Sequence, residues 1–365
     1  MNKLIKRGII FILIFFAIGE LVIRTEDALN GNNFFSNERN RLATKNKNPI
    51  VPYTIFGPHF YAEKNGVKYI SSTHHELYPL IKPENTFRIV CMGESTTEND
   101  VSYRDYKIHY PLLLQKMLQQ KYPDKKIEVI NASYAAYSSA HLLVVLLLDV
   151  ISWNPDLIVI SQNINDVDAA YWSGLNFDYS NKYGTQQFLP DYYDKFTTLN
   201  VLFQWSSFYW YLENRAQYYS EKFQQKKKLT KISYGKEPPK LGQEIYERNL
   251  LNFYYIANKW NIPVLYSTEP LNSVTGSFGY FFWTENNKTV RLPLDSERKD
   301  HHEIYNNILK EVAKSTNSYF LDNDSLFGGD PKYFIDEVHY TKLGIEELSK
   351  NYFDYIVSKN IIKQK

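Results

Sequence analysis

Ser95 follows an apolar run, Phe87-Arg88-Ile89-Val90-Cys91-Met92, within the stretch Gly93-Glu94-Ser95-Thr96-Thr97. A strand that ends in glycine, an acid and small hydroxyl residues turns sharply at the carboxyl edge of a sheet, where open α/β folds do their chemistry. Ser95 is therefore a candidate nucleophile, or else simply the N-cap of the next helix, a position that favours serine. A serine hydroxyl is too weak a nucleophile near neutrality without a base. Among the eight histidines, His339 has the most suggestive neighbours. In Asp336-Glu337-Val338-His339 an acid three residues ahead of the imidazole can accept the Nδ1 proton, hold the tautomer and stabilise imidazolium while Nε2 faces a serine. A solvated loop before a helix would read the same way. His74-His75 and His301-His302 are adjacent pairs whose rings point to different faces, which suggests surface positions and argues against joint metal ligation. His109 and His141 open helical stretches as caps or core contacts, and His59 lies in an irregular segment.

Two more strand ends carry polar groups. Asn163-Ile164-Asn165-Asp166 follows Asp156–Ser161; its asparagines either form a turn or aim an amide at an oxyanion, worth roughly 2.7–4 kcal/mol in an acyl-transfer transition state. Asn131-Ala132-Ser133-Tyr134-Ala135-Ala136-Tyr137-Ser138-Ser139 follows Ile127–Ile130, with Ser138 a candidate helix cap.

Behind these residues lies a regular alternation. Strands at Phe87–Met92, Ile127–Ile130, Asp156–Ser161, Ile262–Ser267 and Ser318–Asp322 alternate with helices at Tyr110–Lys121, Ser139–Trp153, near Gly242–Trp260 and near Glu297–Ser315, and an amphipathic helix, Lys342–Ser358, closes the chain. Strands alternating with helices call for a parallel sheet with right-handed crossovers. The pattern lapses between about Asp168 and Lys240, a stretch rich in Tyr, Phe, Trp and Lys that reads as a partly helical insertion. It is a candidate for acceptor recognition, unless its rings merely pack on one another.

Length and charge exclude little. The 365 residues suffice for one large domain or two modest ones, and 42 basic against 40 acidic side chains leave no field that would recruit nucleic acid. Short lysine runs such as Lys226-Lys227-Lys228 read as solvated faces. The single cysteine, Cys91, rules out an internal disulfide, and its apolar strand suggests a buried, inert thiol.

Leu4 to Ile23 is apolar enough to cross a membrane; twenty helical residues span about 30 Å. No small-x-small cleavage site follows, so an uncleaved anchor over residues 1–24 is expected, with 25–82 as a stalk leading into irregular or short-strand structure. Lys3, Lys6 and Arg7 at the front flank of the span, against Arg24 just behind it, place the N-terminus in the cytoplasm and the remainder outside.

In their order, these segments resemble the SGNH hydrolases, the GDSL lipase and esterase family. Gly93-Glu94-Ser95 is similar to that family's first block, Asn131 to Ser139 to its glycine block, Asn163-Ile164-Asn165-Asp166 to its G-x-N-D block, and Asp336 to His339 to its D-x-x-H block. The resemblance spans roughly Phe87 to Ser358. It implies a flavodoxin-like three-layer α/β/α sandwich over about 83–365, with Ser95 as nucleophile, His339 as base and Asp336 as orienting acid. It also implies an oxyanion hole from the backbone N–H groups of Ser95 and Ala136 and the side chain of Asn165, and no metal or organic cofactor. Glu94 stands in place of an aspartate, and Asn163 and Ala136 in place of glycines. Alanine keeps the backbone N–H, provided the local φ is negative or the strain is tolerated.

Three functions fit these residues. One is an anchored serine esterase removing a small acyl group, such as acetyl, from an extracytoplasmic carbohydrate. Another is an O-acyltransferase that passes the acyl group to a sugar hydroxyl with the same triad, as anchored relatives do beside a membrane-embedded acyltransferase partner. The third is a silent carbohydrate-binding scaffold, to which the altered glycines point.

Overall fold

The structure, a computed structural model, describes residues 3–30, 33–35, 60–171, 175–179, 203, 205–213, 215–216, 219, 239–272, 282–285, 288–291 and 295–363. His59, the 226–228 lysines and most of the expected insertion lie outside the described residues. The chain forms two compact units, one of Met1–Ile55, Tyr183–Lys231 and Thr284–Thr289, the other of Phe56–Lys182, Ile232–Trp283 and Val290–Lys365.

The larger unit is a three-layer α/β/α sandwich. It begins with an antiparallel meander of β1 (Tyr61–Lys64), β2 (Val67–Ser71) and β3 (Leu77–Pro79). The main sheet contains β4 (Thr86–Gly93), β5 (Lys126–Asn131), β6 (Leu157–Ser161) and β7 (Val264–Ser267); after a separate pair, β8 (Phe282–Glu285) and β9 (Lys288–Arg291), it is completed by β10 (Tyr319–Leu321). Its order is β10-β7-β6-β4-β5 and every pairing is parallel. Counted along the chain that order is 2-1-3-4-5, the flavodoxin-like arrangement, whose ligand crevice opens between the first and third strands. The sequence resemblance implied this fold.

A parallel sheet covered on both faces needs strands that are apolar throughout. The residues of β6 are all buried, as are those of β4 from Arg88 onward. The helices Ser139–Leu148, Lys240–Lys259 and Asp295–Ser315 close one core with Val90, Met92, Ile158 and Ile160; the helices Tyr110–Lys121 and Lys342–Ser358 close the other with Ile89, Cys91, Leu157 and Val159. Cys91 is fully buried and burial pushes its thiol up to about 12, in keeping with an inert residue.

The helix read as continuing to Trp153 stops at Leu148, and a 3-10 turn, Val150–Trp153, takes over. Two features end it. Asn154 adopts a left-handed conformation, φ 53°, before Pro155, and a residue preceding proline is held out of the α region. The Trp153 carbonyl meanwhile accepts a 2.6 Å bond from the guanidinium of Arg88, which is buried inside β4 and also donates to Glu128 at 2.8 Å.

In the smaller unit the apolar helix runs from Lys3 to Leu29, past the expected anchor boundary. It is long and apolar enough to span a membrane and keeps its large side chains outward, with Phe11 71% and Leu13 63% exposed.

Candidate active site

Strand order reverses between β4 and β6, and the polar residues marked in the sequence follow those strands and β5. Gly93 pairs with Ser161 at the shared edge. A Cβ at Gly93 would run into Thr97 and the Ser161 carbonyl oxygen, which is why the apolar run ends in glycine. Ser95 opens the short helix Ser95–Glu98, whose N-cap is Glu94. The N-cap position therefore falls to its neighbour, and Ser95 Oγ lies 2.9 Å from Nε2 of His339, 244 positions away.

On its other side the imidazole Nδ1 lies 2.7 Å from Asp336 Oδ2, while Asp336 Oδ1 accepts the backbone N–H groups of His339 and Val338 at 2.8 and 3.0 Å. Burial acts to raise the Asp336 carboxyl, but the His339 hydrogen bond and these N–H groups outweigh it and hold it below the usual carboxylate range. Nδ1–H then donates to Asp336, and Nε2 presents its lone pair to the serine hydroxyl.

The loop that carries the pair is pinned from several sides. Ile335 N–H donates to the His339 carbonyl at 2.7 Å, and Ser102 Oγ donates to the Tyr340 carbonyl at 2.6 Å. Asn272, just past β7, donates from its backbone to the Glu337 carbonyl at 2.8 Å and from its side chain to the Asp336 carbonyl at 2.9 Å. Sequence reading missed Asn272; the only signal was a polar residue soon after a strand.

Glu94 does not cap its own helix. Its carboxylate reaches across the crevice to the first turn of the helix Ile164–Tyr171, where Oε1 accepts Ile164 N–H at 3.1 Å and Oε2 accepts Asn165 N–H at 3.0 Å, with Asn163 N–H at 3.4 Å. One buried acid thus locks the nucleophile's turn to the asparagine's turn. Beside it lies Glu269, also missed, which accepts Thr96 Oγ at 3.1 Å. Burial and then the neighbouring Glu269 push Glu94 well above the ordinary carboxyl range, and burial pushes Glu269 up to about 7, so the pair shares one proton near neutrality.

Asn165 is half-buried, and its side-chain amide donates to the Tyr137 carbonyl at 3.1 Å. An amide carries two N–H donors, so one bond orients the group and leaves the second for a ligand. Asn163 has a negative φ and is buried, donating to Asn306 Oδ1 at 2.8 Å and the His302 carbonyl at 2.9 Å, so its side chain satisfies buried partners. Asp166 accepts the Ser139 backbone N–H at 2.9 Å and so caps the helix behind the Asn131–Ser139 loop.

Ala136 stands at φ +63°, in the left-handed region where a glycine would be free of strain. The condition of a negative φ is not met, so the substitution is tolerated under strain. Ala136→Gly is expected to raise stability by about 0.5–1 kcal/mol, the relief of left-handed strain slightly exceeding glycine's extra unfolded-state entropy. Thermal melts of the two proteins check it.

The loop is also held by Glu98, whose carboxyl accepts the Ala135 N–H and which burial, then Asp100, raises from 4.5 to about 7. Between those two values the folded chain holds a proton that the unfolded chain has released, so this group's contribution to stability falls as pH rises through that window. Glu98→Gln, which cannot ionise, is expected to gain on the order of 2 kcal/mol over the parent at about pH 8 and nothing below about pH 4. Equal pH profiles of unfolding free energy would contradict it.

The remaining histidines correct the surface expectation. His301 and His302 are buried in the helix Asp295–Ser315. His74 is half-buried, stacked on Tyr103 at 3.9 Å with its Nε2 2.5 Å from the Glu98 carbonyl; His75 is exposed. His109 caps its helix by accepting Leu112 N–H, and His141 closes a capping box with Ser138, as caps of the kind expected. Among the described residues no cluster of three or more His, Cys, Asp or Glu is arranged to hold a metal ion.

No family model matches the chain, and no curated protein does. Solved structures with a similar trace include a catalytic mutant of an acetylxylan esterase from Geobacillus stearothermophilus, at 16% identity and TM-score 0.44 over 74% of this chain and 94% of that one. A second variant of an acetyl xylan esterase from that organism shows 17% identity and TM-score 0.44 over 76% and 96%. An alpha/beta hydrolase from the metagenome of Lake Arreo, Spain, shows 14% identity and TM-score 0.42 over 76% and 97%.

Proposed function

We propose that the chain is a membrane-anchored serine esterase of SGNH type, acting on a small O-acyl group, such as acetyl, of an extracytoplasmic carbohydrate. The observation that carries this is the unbroken line from Asp336 through His339 to Ser95, two bonds of 2.7 and 2.9 Å at the crevice of the sheet. Ser95 Oγ attacks the ester carbonyl while His339 Nε2 takes its proton. The carbonyl oxygen becomes an oxyanion, stabilised by the Ser95 N–H, which as the first of its helix has no intrahelical acceptor, by the Ala136 N–H and by the second amide hydrogen of Asn165. Collapse expels the alcohol, which takes the proton from His339. Water, deprotonated by the same imidazole, then releases the acid and restores Ser95.

The detergent-solubilised full-length chain, given a chromogenic acetyl ester with and without an acetylated oligosaccharide, tests the reading. Release of acetate from both, with a fluorophosphonate attached at Ser95, supports it. Acetyl transfer that depends on an added sugar hydroxyl, with little release to water, would replace hydrolysis by O-acyl transfer on the same triad. Absence of both activities and of labelling would leave the silent scaffold.

A further inference from the structure

Glu20 sits two thirds of the way along the apolar N-terminal helix, a costly place for a lone carboxylate if that helix lies in lipid. It is not alone. Its Oε1 accepts Ser207 N–H at 3.0 Å and its Oε2 accepts Phe208 N–H at 2.9 Å and Ser206 Oγ at 2.7 Å, so it caps the helical residues 207–213. Arg24 completes the knot, donating to Glu20 at 2.7 Å, to the Trp205 carbonyl at 2.8 Å and to the Phe34 carbonyl at 2.9 Å. The carboxylate, the guanidinium and the orphan N–H groups of a helix start satisfy one another, which is what a medium without water requires.

Below this knot the contact is apolar. Phe208 packs edge-on against Phe15 and Phe16, each at 5.5 Å, and Phe203 stacks on Phe16 at 6.1 Å. A Cβ at Gly19 would collide with the Phe208 ring, so this glycine is what lets the segment approach the helix. Phe15 lies about 7 Å along the axis from Glu20 toward the middle of the span. Residues packed on it stand at the level of lipid tails if the helix crosses a bilayer. In the same segment Trp205 is 60% and Leu212 40% exposed. Tryptophan at such a level is the composition of an interfacial belt.

We infer that residues 203–213 form a second membrane-contacting element, clamped to the N-terminal helix by Glu20 and dipping into the outer leaflet of a lipid bilayer. This rests on the reading of the N-terminal helix as a membrane anchor. Within the aromatic stretch taken in sequence as a site for acceptor recognition, Phe203 and residues 206–208 are packed on that helix. A segment held in this way gives the anchor a fixed rotational face toward the lipid.

The experiment uses the full-length chain with Cys91 changed to alanine, one new cysteine carrying a nitroxide, and phosphatidylcholine vesicles. Labels go at Trp205→Cys, at Phe11→Cys in the anchor and at Leu326→Cys on the larger unit, and collisions with oxygen and with a water-soluble nickel chelate are compared. The expected result is a Trp205→Cys label intermediate between the other two, several-fold richer in oxygen relative to chelate collisions than Leu326→Cys. Glu20→Leu should move the position 205 label toward the chelate, and Glu20→Gln, which keeps an acceptor, should move it less. A position 205 label as open to chelate as that at 326, with the one at 11 protected, would overturn the second contact while leaving the anchor standing. Chelate access at both 205 and 11 would overturn both.

Discussion

Changing His339 to alanine is expected to lower kcat/KM for an acetyl ester by roughly 10⁴- to 10⁶-fold without unfolding the protein. The imidazole is the only base within reach of Ser95 Oγ among the described residues, and its ring is partly exposed, so its loss opens little core. Asp336 keeps the backbone N–H groups of Val338 and residue 339 as partners, which limits the structural cost. Ser95→Ala should cost as much, and the double variant no more than either, because nucleophile and base act as one unit. Asp336→Asn should lose roughly 10⁴-fold through the wrong tautomer. The assay is steady-state hydrolysis with a thermal melt alongside. A His339→Ala protein that melts normally and keeps more than about a hundredth of its activity would remove the triad from the mechanism.

Glu94→Ala should be the most damaging change at the site to stability, by about 3–5 kcal/mol. It leaves the N–H groups of Asn163, Ile164 and Asn165 buried without their acceptor, and each orphaned donor costs about 1–3 kcal/mol, partly relieved by relaxation. For a domain of this size that is a fall in Tm of about 10 °C. The surviving folded fraction should show kcat lowered by roughly 10²–10³-fold with KM little changed, since Asn165 loses its backbone anchor and the oxyanion loses a donor. Glu94→Gln separates charge from shape: it keeps an acceptor oxygen and mimics the protonated member of the Glu94–Glu269 pair, so it should be far milder. Calorimetry of the three proteins decides it, and a Glu94→Ala chain as stable as its parent would dismiss the carboxylate as the tie between the two turns.

Much of this was legible in the sequence. The helices Tyr110–Lys121 and Lys342–Ser358 were read with their observed bounds, and the five sheet strands to within two residues at either end. Apolar periodicity reports which face of an element must leave water, and that is decided locally. The D-x-x-H spacing placed Asp336 beside His339 for the same reason, since one turn of chain joins them.

The misreadings concern partners that are remote in sequence. His301 and His302 were judged by adjacency, yet the helix that holds them buries both, with the His302 ring 3.7 Å from Glu269 and its carbonyl accepting the Asn163 amide, which also bonds Asn306. Ala136 carries no mark of its positive φ, adopted in a loop whose preceding residue, Ala135, donates its N–H to Glu98. Glu94 was read only as standing in place of an aspartate, and its bonds lie about 70 positions away.

By itself, then, the amino-acid order determined the alternation of strands and helices, the apolar span at the N-terminus and the types of side chain available at each strand end, because burial pattern and hydrogen-bonding capacity belong to residues and their near neighbours. Tertiary structure alone decided that Ser95 meets His339, that Glu94 closes the crevice with Glu269 at its side, that Asn272 pins the histidine loop, and that Glu20 ties residues 206–208 to the apolar N-terminal helix. Each of these is a buried polar group satisfied by a distant one, and which distant group arrives is settled by strand order and packing.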